Sequence, residues 1–140
     1  MRPLLFILLA GLLTMACGHD NTKGESVSGA AAPPSCVSPD SVLAVYSRYV
    51  NGDYAGYVDA MQSCDDKPES YRQQMATLLK QHAVEKQKAD GKVTAVEVVR
   101  ITPVNKGLGA EAYLNVTYEK RATEEIFLQF VYDGERWRLR

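Results

Sequence analysis

The sequence predicts an α+β domain in which three N-terminal helices pack on a curved four-stranded antiparallel sheet. Apolar residues between positions 38 and 91 recur every three or four places, and after Gly91 the period drops to two and stays there to the C-terminus. Ahead of position 38 lie only a short apolar run and a stretch rich in Gly, Ser, Ala and Pro. About 100 residues are therefore left to build a core, enough for one small domain.

The first helix is announced by Ser38 as N-cap, Pro39 at the first helical position and Asp40 in the first turn. Val42, Val45, Tyr46, Tyr49 and Val50 form its buried stripe, and Asn51 with Gly52 stops it in the manner of a left-handed C-cap. Asp53 caps a second, short helix whose stripe is Tyr54, Tyr57, Val58 and Met61. Asp66 and Glu69 have capping-box spacing and open a third helix with Tyr71, Met75, Leu78, Leu79 and His82 on its inner face. Its later part, from Glu85 to Asp90, is polar all round, so that end is expected to project into solvent or fray before Gly91.

The first strand covers about residues 93–104 and ends near Pro103 in a turn through Asn105, Lys106, Gly107, Leu108 and Gly109. In the second, Ala110, Ala112, Leu114, Val116 and Tyr118 alternate with Glu111, Tyr113, Asn115 and Thr117. The third, about 124–132, puts Ile126, Leu128, Phe130 and Tyr132 on one face. Asp133 with Gly134 is a two-residue hairpin signal leading to Trp137 and Leu139, which alternate with Arg136, Arg138 and Arg140. One face of such a sheet meets the helices and the other meets water.

The chain divides into residues 1–16, 17–37 and 38–140. Arg2 supplies a positive start, residues 4–13 are apolar over a length typical of secretory signals, and the run is too short for a permanent membrane span. Ala16 followed by Cys17 resembles the lipobox of bacterial prolipoproteins, although Thr14 and Met15 fit it loosely. That resemblance implies cleavage after Ala16, lipid on Cys17 and a membrane anchor. Gly18, in place of an acid, lacks the inner-membrane retention signal of some bacteria and favours the outer membrane. Residues 18–35 hold no large apolar side chain except Val27 and read as a flexible tether.

The formal charge of the whole chain is -1. Removing Arg2, the only charge before Cys17, takes the mature chain to -2, a balance that gives no footprint for nucleic acid. With Cys17 lipidated, Cys36 and Cys64 remain as an even pair in a compartment where disulfides persist. A bridge would close a loop of about 28 residues and contribute about 3 to 4 kcal/mol if the geometry accepts it. Two unpaired thiols fit the sequence as well. No metal or cofactor is implied, since neither cysteine has a nearby second thiol and His19 and His82 lie far apart.

Three helices followed by such a sheet resemble the nuclear transport factor 2-like (cystatin-like) superfamily. Within it, the chain is similar to small lipoproteins of Gram-negative bacteria that carry a lumazine-binding-like domain of unknown function. The matching pieces are the Gly-Asp-Tyr turn Gly52, Asp53, Tyr54 and the final Asp133, Gly134, Glu135, Arg136, Trp137 hairpin, and the likeness spans about residues 38–140. These motifs are structural, because the superfamily hosts enzymes, binding proteins and assembly modules on one scaffold.

Enzymes that resemble this fold work inside the cone between helices and sheet, with an acid, histidine or tyrosine moving the proton. The residues of that kind are His82, Asp59, Glu97, Tyr46, Tyr57 and Tyr118. Asp59 lies beside the apolar stripe of its helix and His82 at the end of another, placements that suit surface and boundary residues rather than catalysts. Tyr113 and Phe127, of opposite parity to the inward residues, are the candidates for contact on the open sheet face, and Arg136 and Arg138 for gripping an anionic group. The sequence therefore points to a non-enzymatic envelope lipoprotein that binds a small ligand or a protein partner, a second copy included. A small acid-base enzyme of isomerase, dehydratase or hydrolase type is the alternative.

Overall fold

The computed structural model describes residues 36–120 and 123–140, so the expected signal peptide, Cys17 and nearly all of the tether lie outside the described residues. Three helices, α1 (Pro39–Val50), α2 (Tyr54–Ala60) and α3 (Glu69–Asp90), precede four strands, β1 (Val93–Val104), β2 (Gly109–Tyr118), β3 (Glu124–Tyr132) and β4 (Trp137–Leu139). The strands form one antiparallel sheet in the order β1-β2-β3-β4.

Ser38 caps α1 as expected, its hydroxyl accepting from the Ser41 amide at 3.1 Å. Val37, assigned to the tether by its sequence, is only 2% exposed. It stands just before the cap and Val42 stands four residues after it, so the two form a hydrophobic staple that draws the start of the domain back to residue 36. At the other end, Gly52 N–H donates to Tyr49 O and Asp53 N–H to Arg48 O, a Schellman closure that needs the positive φ of 82° at Gly52. The Asp53 carboxylate then accepts from the Gly56 amide at 2.9 Å, and Arg48 donates to Gly56 O at 2.7 Å across the corner. The bend between α1 and α2 is thus held on both sides.

α3 departs from its expected form at both ends and on its face. Pro68 is extended (ψ 154°) and occupies the N-cap without a side-chain hydrogen bond, so the helix starts at Glu69 and Asp66 does not cap it. Proline disfavours helical geometry in the residue before it, which keeps Lys67 out of the helix. Tyr71 and Leu78, expected inside, are 39% and 50% exposed, and His82 is exposed too. α3 packs chiefly on α2 and touches the sheet little, and its half-buried face runs through Arg72, Ala76, Leu79, Ala83 and Lys86 instead. The C-terminal turns are anchored rather than frayed. Lys86 is paired to Glu124 and Asp90, and Lys120 N–H donates to Asp90 O at 2.8 Å.

The sheet follows its alternation. Ala110, Ala112, Leu114, Val116 and Tyr118 of β2 are buried and share the core with Val42, Tyr46, Tyr57, Phe130 and Leu139. The β1–β2 register shifts between Val98 and Arg100, leaving Val99 exposed at a bulge. At the last hairpin, Asp133 N–H donates to Arg136 O and the Asp133 carboxylate accepts from the amides of Glu135 and Arg136. The tight turn is thereby centred on Gly134 and Glu135, one residue later than the Asp-Gly pair suggests.

The structure does not join Cys36 to Cys64; both are free thiols. Cys36 lies beside Val98, Arg100 and Ile101 of β1, whereas Cys64 follows Met61, which bridges Leu139 of β4. The cysteines thus lie beside opposite edge strands of the sheet, β1 and β4.

Candidate functional site

Because α3 leans on α2 and not on the sheet, a cleft of about 330 Å³ opens between α3 and β3. Leu79, His82 and Lys86 form the helix wall, and Glu124, Ile126 and Leu128 form the strand wall. Tyr46 and Tyr49 of α1, Tyr57 of α2 and Tyr118 of β2 close the floor. The helical stripes and the inward parity of β2, read from sequence as ordinary core positions, deliver four tyrosines to one place. Tyr49 is their hub, with ring centroids 5.7 Å from Tyr46, 5.7 Å from Tyr57 and 6.0 Å from Tyr54.

These phenols are neutral over the physiological range. Burial alone pushes Tyr57 up to about 12. Burial, and then the neighbouring phenols Tyr118, Tyr54 and Tyr57, push Tyr49 up to about 12. Tyr46 is raised by burial first and its tyrosine neighbours second, and its hydroxyl is hydrogen-bonded to Tyr118. Tyr118 is itself raised, mainly by burial and by the charge of Glu124, against the opposing pull of Lys86.

The cleft's charges answer one another. Lys86 Nζ lies 2.7 Å from Glu124 Oε2, 3.2 Å from Asp90 Oδ2 and 5.3 Å from the centre of the Tyr118 ring. Its hydrogen bonds to Glu124 and Asp90 raise its pKa and hold it as an ammonium. His82, at the rim, shares a 2.7 Å hydrogen bond between Nδ1 and Tyr49 Oη.

Of the candidates named from sequence, His82, Tyr46, Tyr57 and Tyr118 meet in this cleft, while Asp59 and Glu97 do not. Asp59 is exposed and ion-paired to Arg72, and Glu97 is exposed on β1. Tyr113 and Phe127 are paired across strands on the outer face, rings 5.2 Å apart, with the Arg100 guanidinium 4.0 Å above Tyr113. Phe127 is 44% exposed there. Arg136 stays exposed near Asp133.

Arg138 differs from its expected role as an outward anion grip. It is 7% exposed, and its guanidinium donates to both oxygens of Asp65, at 2.5 and 3.0 Å, and to Asp59 O at 3.0 Å and Ala60 O at 3.4 Å. The segment after α2 folds over the β4 edge and engages the side chain completely. Sequence reasoning also missed Lys86 and Glu124. The available signal was the seven-residue spacing of Leu79 and Lys86, which places a lysine on the same helix face as an inward leucine.

No family model matches the chain, and no curated protein matches it. Among solved structures, one from Campylobacter jejuni, named an NTF2-like transpeptidase, is similar with a TM-score of 0.57 and 14% identity. The match covers 71% of this chain and 94% of that one. Such a likeness at such an identity defines the fold alone: residues 36–140 form a domain of the NTF2-like fold.

Proposed function

We propose that this chain is a lipid-anchored, non-enzymatic protein of the cell envelope whose NTF2-like domain takes a small ligand into the tyrosine-lined cleft. The observation that carries the reading is the lining itself. Four neutral phenols and an apolar wall of Leu79, Ile126 and Leu128 surround a concave space, while the titratable groups beside it are engaged with one another. The anchor rests on the sequence pattern around Cys17, with the outer membrane favoured by Gly18. The outer-face pair Tyr113 and Phe127, with Arg136 exposed at the hairpin, offers a separate surface for a protein partner or a second copy.

One contact favours the enzymatic alternative: the Tyr49 to His82 hydrogen bond at the cleft rim could pass a proton. The transpeptidase name of the structural neighbour points the same way. Acyl transfer of that kind needs an activated nucleophile, however, and the hydroxyls among the described residues lining the cleft are tyrosine phenols that burial holds protonated.

Two experiments test the reading. With Cys17→Ala, the protein is expected to leave the membrane fraction; retention there overturns the anchor. Native mass spectrometry of the mature chain from an oxidising periplasm is expected to show a non-covalent mass that leaves on activation. That mass should be absent from Leu79→Trp, whose indole fills the cleft. A bare chain, or the same mass on the variant, overturns ligand binding in the cleft.

A further inference from the structure

We infer that the cleft selects an uncharged, flat aromatic molecule over an organic anion. This inference rests on the ligand-binding reading above and names the chemistry of what binds. Its first support is the floor, where the rings of Tyr46 and Tyr57 lie within stacking distance of Tyr49 and Tyr118 lines the same cleft. Aromatic rings of this kind gain most from a partner that is itself planar and apolar.

The second support is charge. Lys86, the cation of the cleft, is held by Glu124 at 2.7 Å and by Asp90 at 3.2 Å, and Glu124, the anion of the strand wall, is held by that same Lys86. His82 is engaged by Tyr49 through its Nδ1. An anionic ligand arriving here meets a lysine already shared by two carboxylates. It would surrender its hydration without a free counter-charge, and breaking an existing pair to supply one leaves the displaced carboxylate exposed to the same penalty. A neutral ring loses only weakly held water.

Two fluorescent probes of similar size test this on the mature chain carrying Cys17→Ala. N-phenyl-1-naphthylamine is uncharged, and 1-anilinonaphthalene-8-sulfonate adds one negative charge to the same ring system. The uncharged probe is expected to bind saturably and about tenfold or more tighter than the sulfonate, and to be lost in Leu79→Trp. Glu124→Gln removes one of the two carboxylates on Lys86 and is expected to tighten the sulfonate several-fold relative to the uncharged probe; a merely loosened fold would strengthen both. A sulfonate that equals the uncharged probe and is displaced by Leu79→Trp overturns the selectivity while leaving the cleft as a ligand site. An unchanged ratio of the two affinities in Glu124→Gln also overturns it. Failure of both probes overturns the ligand-binding reading as well.

Discussion

The guanidinium of Arg138 reaches four acceptors within the short stretch from Asp59 to Asp65, two of them carbonyls near the C-terminal end of α2. It therefore closes the helix end electrostatically and fastens the following turn to the last strand. Arg138→Met keeps the stem and removes every donor, leaving Asp65 and the carbonyls to weaker solvation; the expected loss is about 2 to 4 kcal/mol. Arg138→Lys is expected to recover less than half, because an ammonium cannot span a carboxylate and two carbonyls with one planar fork. Urea denaturation checks both, with a lowered midpoint at unchanged slope. Tyr49 and Tyr57 make a second prediction at this scale. Their folded values, pushed up to about 12, lie above the usual phenol value near 10, so the stability they confer is complete below pH ~10 and drains away as pH rises towards 12. A spectrophotometric titration at the tyrosinate band should show a late-ionising group of phenols whose ionisation coincides with loss of near-ultraviolet circular dichroism. Phenols that all titrate together near 10 would contradict it.

At the scale of elements, the junction between α3 and β1 turns on Gly91, which has φ 84° and is buried. A Cβ there would stand 2.8 Å from Glu119 Cβ, whereas one at Gly107, with nearly the same φ of 85°, meets nothing within 4 Å. Gly107→Ala is therefore expected to cost about 1 kcal/mol from backbone strain alone, and Gly91→Ala about 2 to 3 kcal/mol because it adds a collision. Paired thermal melts of the two variants check the difference, and equal shifts would mean that Glu119 gives way freely. Strand positions were legible because period-two alternation has one solution: a slip by one residue would turn Leu114 and Val116 to water. The caps of α1 and α2 were legible because Ser38, Gly52 and Asp53 act locally. The face of α3 was not, since Tyr71 and Leu78 satisfy the helical period as well as Leu79 does, and the choice was made by Arg72 pairing with Asp59 and Lys86 with Glu124. The cleft was illegible for the same reason. It exists only because α3 leans on α2, so tyrosines read as core become a floor.

Across the whole molecule, stability is unevenly shared. β2 is central, paired to β1 along its full length and to β3 over residues 109–116, and its inward side chains Ala112, Leu114 and Val116 are completely buried. α3 is the longest helix, yet it is fixed by its packing on α2 and by a few polar links: Arg72 to Asp59, Tyr49 to His82, Lys86 to Glu124. Exposed or half-exposed pairs of that kind contribute little individually and weaken with salt. α3 should consequently open as a unit well below the free energy of global unfolding, widening the cleft while the sheet stays intact. Native-state hydrogen exchange tests this directly. The amides of Ala112, Leu114 and Val116 are expected to exchange through global unfolding, and those in the middle of α3 through a smaller opening that becomes easier at high salt. Saturation of the cleft with its ligand should slow the α3 amides and leave β2 unchanged, since the ligand bridges the helix wall to the strand wall and acts on the local opening before it acts on the global one. Equal protection of α3 and β2, without ligand and in high salt, would mean that the helix and the sheet form a single cooperative unit and that the cleft does not breathe.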